Sequence, residues 1–206
     1  MASIHSNNKL RWSGILLLAA LLYGCAGQSE PSRFYLLSSP DGLRLDKSTS
    51  SQKNEIKLGV GPITLPSYLK RPQLVARLTT QNLELAEFDR WAEPLEENFS
   101  RVLAENLSGL LSSNLVAIFP WNRAIPIDYQ VTVRVIRFDT DSTAKSHLVA
   151  LWRVFGDDGR KLLFSRRSSF SSTLAASDFD SRVKAMNINL AELSREIAIG
   201  VSTFSN

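Results

Sequence analysis

Sorted into hydrophobic and polar positions, the chain divides into an apolar leader, polar connecting stretches and a body in which strand-like and helix-like periods alternate. Ile15 to Leu22 is an uncharged apolar run behind Lys9 and Arg11, the pattern of a secretory signal. At about eight residues it is far short of the ~20 that a bilayer-spanning helix needs. Ala26 to Arg33 and Pro40 to Asn54 are polar and carry no apolar period, so they are expected to form a tether and a loop. Between them, Phe34-Tyr35-Leu36-Leu37 reads as a short first strand.

In the body, Ile56, Leu58 and Val60 alternate along a strand from Ile56 to Leu65 that Gly61-Pro62 interrupts. Leu74–Leu78 and Leu83–Ala86 flank the polar Thr79-Thr80-Gln81-Asn82 and predict a hairpin. A helix follows over 94–111, with Pro94 at its start and Glu93, Glu96 and Glu97 at the positive end of its dipole. Its buried stripe is Leu95, Phe99, Val102, Leu103, Leu107, Leu110 and Leu111, spaced by threes and fours; Ser112-Ser113-Asn114 ends it. Leu115 to Phe119 is apolar and reads as an interior strand. Asp128–Phe138 and His147–Phe155 are the longest strands, the second apolar enough on both sides to suggest that both faces are at least partly covered. Gly156-Asp157-Asp158-Gly159 turns the chain into an antiparallel return over Lys161–Ser171. A last helix over 179–204 buries Val183, Met186, Leu190, Leu193, Ile197 and Val201, with Ser177 or Asp178 as its cap. No fixed internal period is present. The fold class is α/β in the α+β sense: a single layered domain with a mixed, largely antiparallel sheet and two main helices.

Composition narrows the chemistry. The chain has 206 residues and a formal net charge of +4, of which the leader carries about two units, so the body is only weakly basic and has no concentrated stripe of the kind nucleic acid requires. There is one cysteine, Cys25, and there are two histidines, His5 and His147. No intrachain disulfide, zinc cluster or Cys-His or Ser-His-Asp site fits that inventory. His147 reads as a surface residue at a strand end. Gly59-Val60-Gly61 looks like the start of a phosphate loop, but Pro62 removes a donor and no helix follows, so a bend in a strand is the expectation. The carboxylates Glu87, Asp89, Glu93, Glu96 and Glu97 read as a solvated helix start. No catalytic residue and no cofactor is expected.

Leu22-Tyr23-Gly24-Cys25 resembles the lipobox of bacterial lipoproteins. By that resemblance the signal is residues 1–24, and Cys25 carries diacylglycerol and an N-acyl chain, palmitate being the usual one. Residues 25–33 form the lipidated tether and 34–206 the periplasmic domain. Ala26, rather than aspartate, follows the cysteine and points to the outer membrane. Two further stretches read as partner surfaces. The loop Leu65-Pro66-Ser67-Tyr68-Leu69-Lys70-Arg71-Pro72 is non-periodic with a central tyrosine, and Phe88-Asp89-Arg90-Trp91-Ala92-Glu93-Pro94 gathers residue types enriched at interfaces. From them Tyr68, Leu69, Arg71, Arg90, Trp91 and Pro94 are the candidate binding residues. A third candidate is the basic set Arg153, Arg160, Lys161, Arg166 and Arg167, which reads as a solvated sheet face or a surface for anionic headgroups.

Gly59-Val60-Gly61-Pro62, Tyr68-Leu69 with Arg71-Pro72-Gln73-Leu74-Val75, and Arg90-Trp91-Ala92-Glu93-Pro94-Leu95 resemble the PqiC/YmbA family of ABC-type transport auxiliary lipoproteins, as do Phe34-Tyr35-Leu36, the last hairpin and Leu193-Ser194-Arg195-Glu196-Ile197. Lys70 departs from the pattern, which has an acidic residue there. The resemblance implies a small periplasmic α/β domain anchored in the outer membrane. It also implies a non-catalytic accessory role beside an inner-membrane transporter and a periplasm-spanning MCE-domain protein, in systems thought to move phospholipid and protect the envelope. The expected partners are therefore that MCE-domain protein, the outer membrane and phospholipid, with self-association open and nucleic acid excluded. The alternative is an outer-membrane lipoprotein that assists cell-wall synthesis or another envelope assembly machine.

Overall fold

A computed structural model describes residues 30–40, 43, 55–122 and 124–205. The signal, Cys25, most of the tether and most of the polar loop lie outside the described residues. The compact body begins at Ser32.

Eight strands form one mixed sheet: β1 (Arg33–Tyr35), β2 (Leu58–Thr64), β3 (Gln73–Arg77), β4 (Leu83–Trp91), β5 (Val116–Ile118), β6 (Tyr129–Asp141), β7 (Lys145–Gly156) and β8 (Lys161–Thr173). Among the described residues two α-helices, α1 (Leu95–Leu111) and α2 (Phe179–Ser202), complete it. The long ladders, β6 with β7 and β7 with β8, are antiparallel. The other edge of β6 is shared: β2 runs parallel to its first half and β3 parallel to its last residues. The sheet therefore forks. One branch continues to β5 and the other through β4 to β1, both by parallel pairs at their outer ends. The segment Leu65–Pro72, which includes a single 3₁₀ turn at Ser67–Leu69, fills the gap of the fork.

The period-two pattern sorts the residues of β6 and β7 between the two faces. Val131, Val133 and Val135 of β6 and Leu148, Ala150, Trp152 and Val154 of β7 are buried against the helices. A register shift between Val135 and Arg137 puts both Ile136 and Arg137 on the far side, so that Phe138 returns to the core and meets Phe99 of α1 edge-on at 5.5 Å. Both helices lie on this face. The stripe predicted for α1 is buried save for Leu111, which is half-buried, and that predicted for α2 is buried throughout. Pro94 precedes the first helical residue, Ser112 ends α1 in a left-handed conformation at φ 52°, and Asp178 caps α2 by accepting from the Ser181 N–H at 2.7 Å.

One expectation changes. The 115–119 run is an edge strand, not an interior one: among the described residues β5 pairs only with β2, and Leu115, Ile118 and Phe119 are exposed. An apolar run this short carries no periodicity to separate an edge from a centre. The second face of β7 is partly covered, as its composition suggests, though among the described residues by no helix. Val149, Leu151, Arg153 and Phe155 there are half-exposed.

Candidate functional site

The Gly59-Val60-Gly61-Pro62 stretch is where the non-helical face first acquires a feature. Val60 points into the core while Gly59 and Gly61 leave room on the opposite face for the 119–121 turn. A Cβ on Gly59 would lie 2.6 Å from Trp121 Cη2, and one on Gly61, at φ 118°, 2.6 Å from Phe119 Cβ. Phe119 and Trp121 meet edge-on at 5.7 Å. The glycines seat an aromatic turn; their backbone groups face Trp121, Phe119 and the Gln130 side chain, whose Nε2 donates to the Gly61 carbonyl at 2.8 Å.

At the fork, the two candidate partner stretches come together. The Trp91 N–H donates to the Pro72 carbonyl at 2.7 Å, tying the loop Leu65–Pro72 to the end of β4. Glu96, in the first turn of α1, accepts from the Leu65 N–H at 3.2 Å and pairs with Lys70 at 2.9 Å. Lys70, the family-pattern departure, thus serves as a clasp between the loop and the helix. The same corner receives the start of the body. β1 pairs with Asp89–Trp91, the Arg33 guanidinium grips Asp89 through two bonds of 2.7 and 3.0 Å, and the Tyr35 hydroxyl donates to Asp89 at 2.9 Å. Burial, then the Asp89 charge and bond, push the Tyr35 hydroxyl up to about 12. Asn98 of α1 accepts from the Leu37 N–H at 2.6 Å and donates back to its carbonyl at 3.2 Å.

Beneath the loop lies a charge cluster that the sequence did not announce. Asp139 is fully buried. It accepts from the Tyr68 hydroxyl at 3.1 Å, from Arg77 Nε and Nη2 at 3.1 and 2.8 Å, and from Arg137 Nε at 2.7 Å. The Arg77 guanidinium also sits 5.6 Å from the centre of the Tyr68 ring. Burial, together with Asp139, raises the Tyr68 hydroxyl above its ordinary value, and the bond to Asp139 raises Arg77. Next to it, His147 Nε2 lies 2.6 Å from Asp141 Oδ2. Burial works to raise the Asp141 carboxyl, but bonds from the Thr143 hydroxyl, His147 and the Thr143 and Lys145 N–H groups prevail and bring it to about 2.

The candidate residues divide by burial. Leu69 and Trp91 are 3 % and 6 % exposed and pack in the core. Tyr68 and Arg90 are half-buried, while Arg71 and Pro94 are exposed. The exposed part of the corner is therefore Arg71, Pro94 and the accessible edges of Tyr68 and Arg90, held from below by Leu69, Trp91 and Asp139. Cys25 lies outside the described residues. Of the basic hairpin set, Arg166 pairs with Glu196 of α2 and Arg160 with Asp157. Glu93 is held by Arg101, which accounts for one of the carboxylates at the helix start. Among the described residues no group of three or more His, Cys, Asp or Glu side chains is arranged to hold a metal ion, and no helix is long and apolar enough to cross a membrane.

A mixed sheet with both helices on one face and a clamped loop in its fork defines a class of small α+β domains. Among the solved structures with a similar fold are an uncharacterized protein at TM-score 0.67 and 20% identity, covering 84% of this chain and 99% of that one, and protein XCC0632 from Xanthomonas campestris, of the DUF330 family, at 0.65 and 14%, covering 84% and 96%. A comparison with curated protein sequences gives no match. The sequence model of the ABC-type transport auxiliary lipoprotein component matches residues 35–198; the chain belongs to that family. Membership makes it a transport accessory of the lipoprotein kind, anchored to a membrane of the cell envelope.

Proposed function

We propose that the chain is the non-catalytic docking subunit of an ABC/MCE-type, Pqi-like system that moves phospholipid between membranes, held in the outer membrane by the acyl chains of Cys25. The observation that carries the proposal is the family match over 35–198, strengthened by the meeting of the two family-like stretches at one corner. Two or more acyl chains hold a protein stably on a bilayer where a single chain does not. The eight residues from Ala26 to Arg33 reach at most roughly 25 to 29 Å when extended, so β1, and with it the corner, stays near the membrane. In this reading Tyr68, Arg71, Arg90 and Pro94 receive the MCE-domain protein, while Leu69 and Trp91 fix the shape they present.

Affinity capture of the tagged full chain from detergent-solubilised envelopes tests this. An MCE-domain protein should co-purify, and the chain should fractionate with outer membrane, with Cys25→Ser abolishing that fractionation. Capture of a cell-wall synthase in place of the MCE-domain protein, or unchanged fractionation of Cys25→Ser, contradicts the proposal.

A further inference from the structure

The open face of β6, β7 and β8 holds three arginines that the described residues leave without a counter-ion. Arg134 stands opposite Leu151, which stands opposite Arg167, and Arg153 lies two residues along β7 on the same face. None of the three takes part in an ion pair or side-chain hydrogen bond among the described residues, whereas Arg77, Arg137, Arg160 and Arg166 are all paired. The two acidic residues that β6 turns to this side are already engaged, Asp139 by two guanidiniums and Asp141 by His147. Strands are ~4.8 Å apart, so Arg134 and Arg167 sit within roughly 10 Å, about one Debye length, and their mutual repulsion is only partly screened. The surface between the charges is apolar: Leu151 and Val149 are half-buried and Ile136 is 40 % exposed. Aromatic groups mark both ends, Tyr68 at the fork and Trp121 over Gly59.

We infer that this face is a docking surface for an anionic phospholipid bilayer. Unpaired guanidiniums supply the attraction to headgroup phosphates, each basic group near such a surface adding to it. The apolar strip between them and the aromatic ends suit the boundary between headgroup and acyl chain, where amphipathic rings settle. Charge complementarity selects the occupant: among the described residues no free carboxylate stands on β6, β7 or β8 between these arginines, Asp158 lying in the turn beyond them beside Trp121, so the face accepts anions, and its breadth over three strands suits a sheet of headgroups. The inference goes beyond the docking corner and uses the proposed anchor only to bring the face to the bilayer. It leaves the Tyr68 corner, at the end of the same sheet, at the membrane surface.

Arginine-selective dicarbonyl footprinting of the full chain, read by peptide mass spectrometry, tests it with vesicles of phosphatidylcholine alone or mixed with phosphatidylglycerol. Arg134 and Arg167 should lose about tenfold in modification rate on the mixed vesicles, regain it at high salt and stay reactive on phosphatidylcholine. Arg195, on the exposed side of α2, should not change. Equal reactivity of Arg134 on both kinds of vesicle, or equal protection of Arg195, overturns the inference. Ser165→Glu, opposite Arg153 and two residues from Arg167 on the same face of β8, should remove most of the protection; protection that survives it also counts against the face. Intact mass reports separately whether Cys25 is acylated, so failure of the anchor and failure of the face give different results.

Discussion

Replacing Asp139 with Asn keeps the volume of the side chain and removes its charge, which isolates what the buried carboxylate does. In the native protein its two oxygens accept four bonds from Tyr68, Arg77 and Arg137. An asparagine retains one acceptor oxygen and turns an NH₂ group toward guanidinium donors. Breaking a buried ion pair by removing one partner costs ~3–5 kcal/mol. Here the cations retain some water, the Arg77 and Arg137 side chains being 20 % and 28 % exposed, so about 2–4 kcal/mol is the expected loss. With a urea slope near 2 kcal/mol per M, the unfolding midpoint falls by roughly 1–2 M. Tyr68→Phe, which removes a single donor, should cost only about 0.5–1.5 kcal/mol. Amide exchange resolves the consequence for the loop Leu65–Pro72: the Leu69 and Lys70 N–H groups, bonded to Pro66 and Ser67, should exchange faster in Asp139→Asn. A loss below about 1 kcal/mol, or unchanged exchange at those amides, refutes the idea that Asp139 holds the loop.

Trp91→Ala should destabilise the body by ~3–5 kcal/mol, as expected for a buried tryptophan, in thermal unfolding; a change under about 1 kcal/mol would place the ring outside the core. Gly59→Val should displace Trp121 and cost about 1–3 kcal/mol through overpacking, seen as a red shift in tryptophan emission; an unshifted spectrum contradicts the seat assigned to that ring. Asp141, held at about 2 against a usual 3.8, contributes stability that is present above about pH 4 and lost as pH falls toward 2. Asp141→Asn should therefore lower stability at pH 7 by roughly 1–2 kcal/mol and change it little at pH 2; the same loss at both values rules that contribution out.

The two helices were legible because their stripes recur by threes and fours and their ends carry a proline, acidic first turns and, for α2, a capping aspartate. The long strands were legible from alternation, yet the strand expected to stop at Phe138 runs on to Asp141. Asp139-Thr140-Asp141 looks like a loop by composition; it is a strand because Arg77 and Tyr68, distant in sequence, neutralise and cover Asp139. No local pattern encodes that pairing. The corner was half legible: both stretches stood out by residue type, but only the fold shows that Trp91 and Leu69 turn inward while Arg71 and Pro94 face out. The glycine pair had a visible signal and an invisible reason, since the aromatic turn it seats comes about sixty residues later in the chain.

Capture of the MCE-domain protein by the full chain, compared with capture by Tyr68→Ala/Arg71→Glu, tests the central claim most directly. The corner as described predicts a stably folded variant that retains membrane anchoring and loses at least tenfold of the captured partner, ~1.4 kcal/mol of binding. Equal capture by the native and doubly substituted chains contradicts it.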